Sequence, residues 1–214
     1  MFDQEYGFVI RQFWPQRQKV VLLCSTLGKI SVTVNDPKIC PRLCVGMFIS
    51  FAPQVQASKG YFADCVQIQS SPLGYTYQDI VWLHSIAEVL YYFLPLDNPC
   101  QEVFKHFVDC KRLISKKLEF NTSIEPLKKI FLLYFLFITG QIPCLGKKEK
   151  KLVDVLNFLD IDFENEQKVE FLRETAKSFN KKQLAEIDKI VNECLKMHPC
   201  FAEFKTVKQQ PRFN

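Results

Sequence analysis

Between residues 70 and 77 the hydrophobic pattern of this chain changes period, and that change sets the class of fold it can adopt. Before it, apolar residues alternate in the manner of strands. Phe8, Ile10 and Gln12 interleave with Val9, Arg11 and Phe13, Lys19 to Cys24 carries an apolar run that opens on two β-branched valines, and Ile30, Val32 and Val34 interleave with Ser31, Thr33 and Asn35. After it, Ile80, Leu83, His84, Ala87, Leu90 and Tyr91 recur at spacings of three and four, which places them on one stripe of a helix. Strands followed by helices predict an α+β chain.

The punctuation agrees with this reading. Pro15 marks a corner after the first strand, and Leu27-Gly28-Lys29 supplies a turn with a residue free to take positive φ. Two further strands are expected over Met47 to Phe51 and Phe62 to Gln69, separated by a polar tip from Gln54 to Gly60. Five short strands in so small a span suit a closed or nearly closed barrel. Ser70-Ser71-Pro72-Leu73-Gly74 then ends the strand region, so the expected division is a barrel over 1–72 and a helical domain over 73–214. The periodicity predicts helices from Tyr77, from Pro99 to about Leu118, and over Glu125 to Thr139, Lys147 to Leu159, Glu164 to Ser178 and Lys181 to Lys196.

Composition narrows the chemistry. With a net charge of +5, the chain permits a polyanionic partner without demanding one. Between Lys105 and Lys129, seven cations (Lys105, Lys111, Arg112, Lys116, Lys117, Lys128, Lys129) face three carboxylates, so a basic patch is expected on the helices. The N-terminus lacks the charged, apolar and small-residue regions of a secretion signal, and the apolar run Ile130 to Thr139 is short for a membrane span. A cytoplasmic chain without a membrane segment is therefore expected. Nine cysteines without a Cys-x-x-Cys pair read as reduced thiols. The nearest approaches to a metal set, Cys40 with Cys44 and Cys194 with His198 and Cys200, each lack a second half. None of the phosphate-cradling, zinc-protease or serine-hydrolase signatures is present, and His84, His106 and His198 are far apart. No enzyme, metal or cofactor is expected.

A small barrel can instead hold a nucleic-acid strand, with cations tracking phosphates and rings stacking on bases. Arg11, Arg17, Lys19 and Lys29 lie in or beside the first three strands, with Phe13 and Trp14 at the first corner. For Trp14 the sequence leaves two roles open, a stacking ring or a plug over the barrel end.

The order of these pieces resembles the bacterial DNA repair protein RecO family. The resemblance is carried by Gly7-Phe-Val-Ile-Arg11, the polar corner and next strand, Ser25-Thr-Leu-Gly-Lys-Ile-Ser-Val32, the helices Tyr77 to Leu94 and Phe104 to Leu118, and the stretch Phe131 to Leu145 that ends in Gly-x-x-Pro-x-Leu. It spans Gly7 to Leu145, and order and spacing carry it rather than any one motif. Two features depart from the family: the basic segment after the third strand keeps only Lys38 and Arg42, and the four-cysteine zinc module is absent after Cys144.

The resemblance implies an oligonucleotide/oligosaccharide-binding barrel (OB-fold) in a recombination mediator. Such a protein binds single- and double-stranded DNA, promotes annealing in recombinational repair and helps load the recombinase onto coated DNA. The implied DNA-binding residues are Arg11, Trp14, Arg17, Lys19, Lys29, Lys38 and Arg42. The implied partners are a RecR-like protein and the acidic C-terminal tail of a single-stranded-DNA-binding protein. That tail needs an apolar pocket beside fixed positive charge, for which Phe107, Lys111, Arg112, Lys116 and Lys117 are the candidates. The alternative is a RecO-like module that acts through protein contacts alone.

Overall fold

The computed structural model describes residues 4–56, 60–115, 125–142, 174 and 177–204. Five strands, β1 (Glu5–Gln12), β2 (Lys19–Cys24), β3 (Gly28–Val34), β4 (Phe48–Gln56) and β5 (Gly60–Ser70), close into a barrel in the order β1-β2-β3-β5-β4. The β1-β2-β3 meander is antiparallel, β4 pairs antiparallel with both β1 and β5, and β3 meets β5 in parallel. Helices follow: α1 (Tyr77–Phe93), α2 (Gln101–Ser115), α3 (Glu125–Ile138) and α4 (Lys181–Met197). The barrel-then-helix order is the one the change of period anticipates. The helices expected over Lys147 to Leu159 and Glu164 to Ser178 lie, apart from residues 174, 177 and 178, outside the described residues.

Alternation sorts the barrel residues into two faces. Val9, Val20, Leu22, Ile30, Val32, Val34, Ile49 and Phe51 point inward and form the core, which Cys40, Leu43 and Met47 extend. The outward residues Phe8, Val21 and Leu23 are buried as well, because helices cover this side. α1 packs on β1, and the ring of Phe8 lies 5.4 Å from Phe104 and 4.7 Å from Phe107 of α2. Between Val9, opposite Leu22, and Arg11, opposite Val21, Ile10 is an extra residue that shifts the register.

β4 runs to Gln56, beyond the Phe51 limit expected from sequence, and β5 starts at Gly60 rather than Phe62. Pro53 reads as a breaker, yet it pairs with Ala63. Among the described residues β4 pairs with β1 as far as Phe51, and Pro53 sits beyond that stretch, where a residue without an N–H is better tolerated than in the middle of a ladder.

By packing, the chain divides after Phe107: the barrel, α1 and the first turns of α2 form one compact unit, and α3 and α4 belong to a second. In the second unit α3 is buried along most of its length, and Lys129 pairs with Asp188 of α4. Asn180 and Gln183 form a reciprocal capping box at the start of α4. Among the described residues, no helix is long and apolar enough to cross a membrane.

Candidate nucleic-acid interface

Arg11 and Phe13 are two residues apart at the end of β1, so both face outward, and the Phe13 N–H donates to the Lys19 carbonyl across the corner at 3.0 Å. The Arg11 guanidinium lies 4.1 Å from the centroid of Tyr91, 5.2 Å from Phe13 and 5.8 Å from Tyr92, and its Nη1 donates to the Tyr92 hydroxyl at 3.3 Å. Cation–π attraction fixes the guanidinium among these rings.

Lys29 has a different fate from the one its place in a strand suggests. Its side chain is buried, and Nζ donates to the carbonyl of Tyr91 at 2.7 Å and to that of Leu94. These carbonyls lie at and just past the C-terminal end of α1, where intrahelical partners run out and the helix dipole favours a cation. Burial pushes the ammonium pKa down from 10.5 to about 8. Lys29 thus serves the packing of α1 on the barrel and presents no open charge.

Arg17, Lys38 and Arg42 are exposed, and Lys19 is half-buried. Two hydrogen bonds bring their loops to one end of the barrel: the Val34 N–H donates to the Gln18 carbonyl at 3.0 Å, and Gln12 Nε2 donates to the Cys40 carbonyl at 2.9 Å. The carboxylates nearby are committed elsewhere. Asp36 accepts from the Lys38 backbone N–H at 2.7 Å, and Asp64 accepts from the amides of Asn35 and Gln54. The corner and loop cations therefore face solvent without losing their charge to these acids. Trp14 is 40 % exposed, a ring at the surface of the corner rather than a plug over the core.

The partner residues expected on α2 separate. Phe107 is fully buried, its ring against Phe8, so it offers no surface to a peptide. Lys111 is half-buried, with its pKa lowered to about 8 by that burial. Arg112 is exposed and lies 3.5 Å from Asp109. Lys116 and Lys117 lie outside the described residues.

The cluster Cys194, His198 and Cys200 has its donors turned to other tasks. The Cys194 thiol donates to the Gln141 carbonyl at 3.5 Å, and His198 Nδ1 accepts the Cys200 backbone N–H at 3.1 Å. Among the described residues, no three His, Cys, Asp or Glu side chains gather as metal ligands.

Sequence reasoning passed over Tyr91 and Tyr92 as candidates. A signal was present: each tyrosine carries a hydroxyl, which favours places where one end of the ring is apolar and the other wet. No protein-family model matches the sequence, and no curated protein matches it.

Proposed function

We propose that the barrel is an OB-fold and that the chain is a RecO-like DNA-binding protein of recombinational repair, working without catalysis to anneal strands and load a recombinase on coated single-stranded DNA. The strand order, with an antiparallel meander closed by a parallel β3/β5 contact, supports the fold reading. One observation carries the functional reading: hydrogen bonds bring the loops that carry Arg17, Lys19, Lys38 and Arg42 to one barrel end, where Asp36 and Asp64 are bonded to backbone and amide donors. Cations placed this way contact phosphates without regard to sequence. The test is the affinity of a labelled 30-mer at two salt concentrations, where phosphate contacts require binding to weaken steeply with salt.

The partners of this reading are DNA, a RecR-like protein and the acidic tail of a single-stranded-DNA-binding protein. A module acting through protein contacts alone is the second reading. The burial of Lys29 favours it, since that cation is withdrawn from the surface where a phosphate would meet it.

A further inference from the structure

Tyr91 and Tyr92 bring the last turns of α1 to the outward face of β1, where they meet Phe13 around the Arg11 guanidinium. Phe13, Tyr91 and Tyr92 are each half-buried, and Trp14, the next residue of the corner, is exposed. Two cations share the Tyr91 ring, with Arg11 at 4.1 Å and Lys29 Nζ at 5.5 Å from its centroid. Among the described residues their hydrogen-bond partners are a phenol oxygen and two backbone carbonyls, with no carboxylate to balance the charge. Lys29 is buried, so the cations of this face that reach solvent are Arg11 and, across the corner from Phe13, Lys19.

Such a surface selects its ligand by two properties at once. Half-exposed rings gain from flat π faces, and cations without counter-charges gain from anions spaced along a backbone. An unpaired nucleic-acid strand supplies both in alternation, whereas a duplex keeps its base faces stacked on one another. We propose that Phe13, Trp14, Tyr91 and Tyr92 form a stacking platform for unpaired bases, with Arg11 and Lys19 beside the adjoining phosphates, so that the chain prefers single strands to duplex. This rests on the nucleic-acid reading above and adds to it the surface used and the form of strand recognised.

The experiment compares three labelled probes of equal length on the full chain at one fixed low salt concentration: a thymidine strand, an abasic strand with the same phosphates, and a duplex. Stacking of even one or two bases makes the thymidine strand bind about ten-fold or more tighter than the abasic one. Trp14→Leu, which leaves the ring contacts and hydrogen bond of Arg11 in place, should lower the thymidine affinity about five-fold and leave the abasic affinity unchanged. Equal binding of thymidine and abasic strands by the unaltered chain overturns the platform while leaving phosphate binding intact, and it needs no variant to fold. Duplex binding as tight as the thymidine strand overturns it too. No binding of any probe by folded protein overturns the platform and the nucleic-acid reading together.

Discussion

Lys29 carries a charge to a position where 6 % of its surface meets solvent, and the carbonyls of Tyr91 and Leu94 hold it there. Lys29→Met keeps the bulk and removes the donor, leaving both carbonyls short of a partner. We expect a loss of about 1–3 kcal/mol at neutral pH, read as a shift of the urea midpoint. Burial sets the pH dependence. The folded pKa of about 8 lies below the ordinary 10.5, so between these values the unfolded chain holds a proton that the folded chain has released. Stability from this group therefore rises as pH climbs from 8 toward 10.5. The advantage of the unaltered chain over Lys29→Met should widen across that window, and an advantage that stays flat or narrows would contradict the assignment. The sequence shows Lys29 as a cation in a strand, but its partners lie 62 and 65 residues away, and no local pattern encodes such a contact. Arg11 is a similar case: its rings at Tyr91 and Tyr92 come from a helix that strand periodicity does not see.

Gly28 and Gly60 begin β3 and β5, and both take positive φ, +72° and +82°. The turns ask different things of them. A Cβ on Gly28 would collide with the backbone carbonyl of Asn98 and lie 2.8 Å from Pro99 N, whereas one on Gly60 would meet nothing within 4 Å among the described residues. Gly60→Ala should cost only the left-handed backbone penalty, about 1–2 kcal/mol, and Gly28→Ala that penalty plus the clash, about 3 kcal/mol or more. Thermal unfolding of the two variants checks this, and equal losses would mean that the 94–99 segment yields to the new methyl group. At this scale much was legible. Alternation located β1 to β3 and the helical period located α1 to α4, because each element buries one face and so repeats its apolar residues. Less legible were the second half of β4, which continues through Pro53, and the register shift at Ile10, which depends on the partner strand.

For the molecule as a whole, the question is whether its cations at the barrel end meet an external polyanion. The RecO-like reading also calls for a receptor for an acidic tail, and of the four cations expected to serve it, Lys111 and Arg112 lie among the described residues. A fluorescent acidic tail peptide should bind in the micromolar range, weaken with salt, and bind less well to Lys111→Glu with Arg112→Glu; undiminished binding by the folded double variant would remove these residues from the site. The central claim is phosphate binding by the barrel end, and it is tested most directly by the salt dependence of single-strand affinity for the unaltered chain and for Arg17→Glu, Lys19→Glu, Arg42→Glu. These side chains are exposed or half-buried outside the barrel core, so the variant should keep the near-ultraviolet signature of a packed barrel. Neutralising three to five phosphates gives the unaltered chain a log–log slope of about −2 to −3.5. The unaltered chain should show that slope, and the variant should bind far more weakly and lose about two units of it. A folded variant that binds the strand with the same affinity and slope as the unaltered chain would contradict the claim.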